Sequence, residues 1–199
     1  DSTTTIGSIP TAGGDHAVVY EAGLPAHNSE PSGSDASKPT TTSGEISFTS
    51  VDGVSTVSLG GHDLSASSAT PTVFTDTSGS MSAYYTYDAS TGAGTVHYSY
   101  TLTDNTLVDP SAASFSVVVT DADSETNVAA ANLVIDIIDD APTAHVDTDS
   151  FGTGAIGTSI SGNVITGSGT NEGSNGAGHD VVGADGGVVA WVGVGTRRR

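Results

Sequence analysis

The chain contains no cysteine, which excludes disulfide cross-links, a thiol nucleophile and thiolate metal sites. Cations are almost as scarce, because Lys38 is the only lysine or arginine before the three arginines at 197–199. The formal net charge is therefore −19 at pH 7. Binding to nucleic acid or to an anionic membrane surface requires basic patches, so we expect neither partner.

Sequence motifs of common enzymes are also missing. There is no Walker A or dinucleotide-binding fingerprint and no G-x-S-x-G elbow, and the six histidines show no zinc-binding spacing. No apolar run approaches the roughly 20 residues that cross a membrane as a helix. We predict that the chain is not an enzyme and that it does not insert into a membrane.

Acidic residues are abundant, and only five of the 23 are glutamates. Aspartate suits turns, and it holds a hard oxygen close to the backbone, as calcium loops require. With so few cations in the chain, these carboxylates must either repel one another or share bound cations. We therefore predict Ca²⁺ as the cofactor.

The apolar residues favour strands, since valine far outnumbers leucine. The clearest alternation places Val96, Tyr98, Tyr100 and Leu102 on one face of a strand. Seven or eight such runs, with turn signals about every ten residues, predict an all-β protein with a β-sandwich. We expect Tyr98, Tyr100, Phe115 and Ile135 in its core.

Three segments are predicted along the chain. Residues 1–15 form a leading linker and residues 16–141 form the sandwich. Pro142 ends the sandwich, because proline prevents strand continuation. Residues 142–199 are glycine-rich, and we interpret them as a junction and the incomplete start of a second β-rich repeat.

Acidic residues at predicted strand ends and at the junction are the candidate metal ligands. In the Asp-x-Asp pair of Asp121 and Asp123, a bend turns both carboxylates toward one ion; the alternative is a solvated turn. The junction acids surround a stiff proline exit, and the alternative there is an acidic linker. The full set is Glu21, Asp104, Asp121, Asp123, Asp139, Asp140, Asp147 and Asp149.

Several segments, in this order along the chain, resemble one family: 19–25, 42–44, 52–53, 100–105, 115–123 and 135–142. They look like the Ig-like, cadherin-like repeats of very large RTX adhesins, which bacterial type I systems secrete. The resemblance implies a tandem β-sandwich with calcium near its junctions, at the bacterial cell surface. The chain departs from the family at Ser124, where glycine is common and adopts a positive φ more readily.

Three functions follow as expectations. The first is an extracellular, calcium-stabilised repeat of an adhesin, an extender or adhesive domain whose partners are neighbouring repeats and a host or matrix ligand. The second is a self-associating subunit of an extracellular filament or matrix, in which Val18 to Glu21 is donated to a neighbour's sheet edge. The third is an accessory module of a secreted hydrolase, for which no catalytic constellation is found.

Overall fold

The computed structural model describes residues 2–28, 30–107, 111–150, 159, 161–171 and 178–188. In this part of the chain the fold is all-β, as predicted, and the only helical element is a single 3₁₀ turn at Glu21–Gly23. The strands are β1 (Thr5–Ile6), β2 (Val18–Tyr20), β3 (Thr41–Thr49), β4 (Val54–Leu59), β5 (His62–Asp63), β6 (Thr72–Thr75), β7 (Gly79–Asp88), β8 (Ala93–Leu102), β9 (Ser111–Phe115), β10 (Val117–Asp121), β11 (Thr126–Val128) and β12 (Leu133–Ile138).

The strands form two layers. The first is a five-stranded antiparallel sheet in the order β1-β3-β8-β7-β6. The second combines a three-stranded sheet, β2-β12-β9, with a four-stranded sheet, β11-β10-β4-β5. These two sheets are continuous along the chain, since only Ser116 separates β9 from β10. The layers meet through aromatic rings, with Tyr100 of β8 5.8 Å from Phe115 of β9 between ring centroids.

The core follows the alternation of the central strands. In β8 every second residue is buried, and Tyr98, Tyr100, Phe115 and Ile135 are all at most 5% exposed, so the predicted core positions are confirmed. Gly94 is also buried in β8, where its missing side chain makes room for the ring of Phe48 from the paired strand. The core is thus filled by side chains from paired strands as well as by the alternating side chains of a single strand.

The chain divides into two compact units. Unit 1 comprises residues 1–24 and 35–139, and unit 2 comprises 25–34 and 140–199. The N-terminal boundary differs from the predicted one, because residues 2–6 are not a linker but part of the sandwich. β1 pairs with β3, and Thr4 is 1% exposed with its hydroxyl 3.2 Å from that of Ser50. The short β1 carries too few apolar residues to be recognised from its sequence pattern.

The chain enters unit 1 at one end of the sandwich and leaves it at the other. β1 pairs with the last two residues of β3, which defines the N-terminal end. β2 and β12 run parallel, away from that end, and Tyr20 lies beside Ile138 and donates a hydrogen bond to Pro39 just before β3. The chain then leaves unit 1 through Asp139, at what we call the exit end.

Unit 2 has no regular strand among its described residues, which pair only as isolated bridges. Thr143 is paired with Val181, and Asn163 with Ser168. In its turns, backbone amides also donate to side chains, as Ile165 and Thr166 do to Asn163. The predicted strand-like run at 188–194 lies, beyond Val188, outside the described residues. Over the part of the chain that is described, no helix is long and apolar enough to cross a membrane.

Candidate cation sites at the two ends of the sandwich

Most carboxylates of unit 1 lie in the loops at its two ends. Those at the N-terminal end are Asp52, Asp88, Asp121, Asp123 and Glu125, and those at the exit end are Glu21, Asp35, Asp76, Asp104 and Asp139. Like charges gathered in this way raise the free energy of the folded state unless cations neutralise them. The flanks of the sandwich carry few acids by comparison.

Two of these acids occupy positions that continue the buried face of a strand. Val117 and Val119 of β10 face inward, and Asp121 follows at the next inward position. Glu21 continues the buried series of Ala17 and Val19 in the same way. Because a strand has a period of two, an acid at such a position is directed into the protein. A buried carboxylate requires hydrogen bonds or a cation to offset its desolvation.

Asp121 is fully buried, and its two carboxylate oxygens differ in their surroundings. Oδ1 accepts hydrogen bonds from the amides of Asp123 at 3.0 Å and Glu125 at 2.8 Å. Oδ2 is also buried, and no described residue donates a hydrogen bond to it. One oxygen therefore shapes the turn, and the other is available to a cation.

The neighbouring turn residues clarify the Asp-x-Asp prediction. Asp123 is exposed, so the structure places the two carboxylates in different environments, although the Asp123 amide donates a hydrogen bond to the Asp121 carboxylate. Ser124 has a φ of +75°, a left-handed conformation that glycine adopts without strain and serine does not.

At the exit end, Glu21 and Asp139 come together. Each places a carboxylate oxygen within 4.8 Å of the other's. Glu21 is fully buried, and its Oε1 accepts two hydrogen bonds from Thr106, from the amide at 2.7 Å and from the hydroxyl at 2.6 Å. Two anionic groups at this separation repel each other, and a shared divalent cation would remove that repulsion. Thr106 was not predicted, because a contact across 85 residues leaves no local sequence signal.

Asp140 serves a different purpose within unit 2. Its Oδ2 accepts the amides of Ser34 at 2.7 Å and Ala184 at 3.0 Å, and its Oδ1 accepts the Ser34 hydroxyl. These donors stabilise the negative charge directly. Asp140 thus joins three segments of unit 2 that are distant in sequence.

The remaining predicted ligands are more dispersed. Asp147 accepts a hydrogen bond from Thr170 at 3.0 Å, and its buried Oδ2 receives none from a described residue. Asp149 is exposed and accepts the amide of Ser150. Asp104 is half-buried after β8 and accepts the amide of Asn105 at 3.1 Å.

The donor chemistry of these sites fits calcium. Carboxylate oxygens are the hard ligands that Ca²⁺ prefers. The buried Oδ2 of Asp121 is an oxygen that a bound ion would satisfy, and Glu21 and Asp139 bring two further carboxylates together. Comparison with known proteins identifies no relative, since no family model, curated protein or solved structure matches the chain.

Proposed function

We propose that the chain is an extracellular, calcium-stabilised repeat module of a bacterial surface adhesin. The observation that carries this proposal is the concentration of carboxylates at the two ends of a sandwich whose chain enters at one end and leaves at the other. Modules joined in tandem meet at such ends. Ions bound there stiffen each junction and connect the repeat to its neighbours. The row of repeats then holds the part that binds a host or matrix ligand away from the cell.

Calcium stabilises the folded protein in this proposal, because folding brings carboxylates together at the two ends of the sandwich. In the unfolded chain these carboxylates are far apart. A site at ten times its dissociation constant adds about 1.4 kcal/mol by mass action. Two sites add about 3 kcal/mol, which is a large fraction of a typical stability of about 5–15 kcal/mol. Removing calcium should therefore lower the melting temperature by several degrees.

A calcium titration with a matched pair of variants tests the proposal. Asp121→Asn keeps the shape of a buried carboxylate and removes its charge. Asp88→Asn is the control, because Asp88 also ends a strand at the N-terminal end of the sandwich but is exposed. Hydrogen bonds from Ser90 hold the pKa of Asp88 below its ordinary value, so this residue is a charged turn former without a buried oxygen.

The measurements are calorimetric calcium binding and thermal melting with calcium and with EDTA. We expect EDTA to lower the wild-type melting temperature, Asp121→Asn to remove part of that difference, and Asp88→Asn to retain it. Monovalent salt should restore only part of the loss, because screening does not replace coordination. An unchanged melting temperature in EDTA, or equal responses from the two variants, would refute the calcium proposal.

The filament alternative is disfavoured by the position of β2. This strand pairs in parallel with β12 of its own chain, and Val19 within it is fully buried. Donation of β2 to a neighbour would first break that pairing. Sedimentation in calcium distinguishes the two models, since an adhesin repeat remains monomeric whereas a filament subunit elongates with concentration.

A further inference from the structure

The outer face of the five-stranded sheet carries an ordered set of polar side chains. Pairing between β3, β8 and β7 places these side chains in rows that cross the three strands. The rows are Thr41–Thr101–Ser80, Ser43–Ser99–Ser82, Glu45–His97–Tyr84 and Ser47–Thr95–Thr86. Ten of these twelve residues bear a hydroxyl group, which both donates and accepts hydrogen bonds.

Two walls turn part of this face into an open cleft of about 660 Å³. His16 forms one wall, where its Nδ1 lies 2.8 Å from the carbonyl oxygen of Ser43 and its own carbonyl accepts the Tyr98 hydroxyl at 2.8 Å. Ser68 and Pro71 form the opposite wall, on the loop between β5 and β6. The volume is within the usual range of about 300–1,000 Å³ for ligand sites.

A rigid aromatic pair lies on the floor of the cleft. The rings of Tyr84 and His97 are stacked with centroids 4.6 Å apart and an interplanar angle of 15°. The His97 ring is held at both nitrogens, with Nδ1 3.1 Å from Glu45 Oε1 and Nε2 3.2 Å from Thr86 Oγ1. Glu45 extends into solvent, with 68% of its side chain exposed. The cleft therefore presents an ordered ring beside an accessible carboxylate.

We propose that this cleft binds a neutral glycan. Sugars present hydroxyl groups around their edges and C–H groups on their faces, so they pair with a hydroxyl-rich floor and pack on an amphipathic tyrosine ring. A protein partner fits less well, because protein interfaces have an apolar centre. Among the described residues that line the cleft, none is Val, Ile, Leu, Met or Phe.

Charge selects the class of glycan. The whole chain carries −19, and the cleft contains Glu45 and no lysine or arginine among its described residues. Sulfated, phosphorylated or uronic-acid polymers would be repelled by this field. This inference gives the module a ligand of its own and does not depend on bound calcium.

Affinity electrophoresis through gels containing neutral polysaccharides tests the proposal. The probes are dextran, laminarin, galactomannan and yeast mannan, with heparin and alginate as anionic comparisons. We expect retardation by at least one neutral polymer and none by the anionic ones. Calorimetry with an oligosaccharide from the retarding polymer then gives the affinity.

Two variants of the cleft and a matched control assign the binding site. Tyr84→Ala and Glu45→Gln should each weaken the affinity tenfold or more. Glu125→Gln should not change it, because Glu125 is an exposed glutamate in a loop at the N-terminal end. Glu45 is itself highly exposed, so its variant should fold even if Tyr84→Ala does not.

Several outcomes would overturn the proposal. These are the absence of retardation by every neutral polymer, preferential binding of heparin or alginate, and glycan affinity that is unaffected in both cleft variants. Dimerisation of the glycan-free protein that is lost in Glu45→Gln would also overturn it, since the face would then be a contact between copies. EDTA should leave glycan binding intact below the melting temperature, which separates this test from that of the calcium sites.

Discussion

Gly94 and Phe48 provide the most direct test of how the core is packed. A Cβ built on Gly94 would lie 2.0 to 2.5 Å from three atoms of the Phe48 ring. That ring is 3% exposed and stacks parallel to Tyr87 at a centroid distance of 6.3 Å. Gly94→Ala must therefore displace the buried Phe48 ring. Overpacking of this kind costs about 1–3 kcal/mol.

Gly94→Ala should change from destabilising to stabilising when the Phe48 ring is removed. Phe48→Ala alone should cost about 3–5 kcal/mol. In that background the clash at Gly94 is gone, and alanine is favoured over glycine within a strand by about 0.5–1 kcal/mol. Gly94→Ala should then stabilise the protein, giving a coupling energy of about 1.5–4 kcal/mol between the two positions.

Urea unfolding of the wild type, both single variants and the double variant measures this coupling through the midpoint and slope of each transition. Thr95→Ala is the control, since Thr95 is on the outer face of the same strand, and its cost should stay below about 1 kcal/mol. If Gly94→Ala destabilised the protein equally with and without the Phe48 ring, the inferred packing would be wrong.

Four further predictions concern unit 1. Phe115→Ala should cost about 3–5 kcal/mol in urea unfolding, because the ring contacts aromatic partners in the other layer; a wild-type midpoint would contradict its buried position. Ser124→Gly should stabilise by about 1 kcal/mol, because glycine relieves the strain of a positive φ, and a loss of stability would show that the serine side chain contributes more than that strain costs. Deleting residues 1–8 should cost more than about 2 kcal/mol, since several hydrogen bonds are lost with β1; unchanged melting would restore the linker interpretation. Burial raises the pKa of Tyr98 to about 12 and raises the pKa of Tyr100 as well. As the pH rises above 10, the unfolded chain releases these protons at a lower pH than the folded protein does, so the free energy of unfolding should fall with rising pH. If tyrosinate absorbance showed that Tyr98 and Tyr100 ionise before the protein unfolds, this prediction would be wrong.

The alternation of apolar residues predicted the central strands well and their ends poorly. The pattern of Val96 to Leu102 identified β8, but the strand begins at Ala93. β3 extends back to Thr41 through Gly44, and β7 begins at Gly79. These extensions are rich in Ser, Thr and Gly, and their glycines occupy positions that an aromatic ring from the adjacent strand fills. A single-strand pattern does not contain that information.

The candidate sites were also only partly predictable from the sequence. Glu21 and Asp121 were identifiable, because each acid follows an apolar alternation at its next inward position, and Asp139 was identifiable as the acid that follows the last strand. Their surroundings were not, because the donors to Glu21 come from Thr106, and the bonds of Asp140 come from Ser34 and Ala184. The hydroxyl rows of the cleft depend on the register between three strands, which separate sequence segments do not reveal.

The parallel pairing of β2 with β12 determines how unit 1 responds to tension. A force between residue 2 and Asp139 pulls β2 toward the N-terminal end and β12 toward the exit end, in opposite directions along their common axis. The three residue pairs between Val18 and Tyr20 and their partners are then loaded together in shear, so they must fail at once and cannot peel apart in turn. Resistance to pulling is governed by the rate of unfolding under load. The parallel pair is therefore the part of unit 1 that is loaded in shear when its two ends are pulled apart.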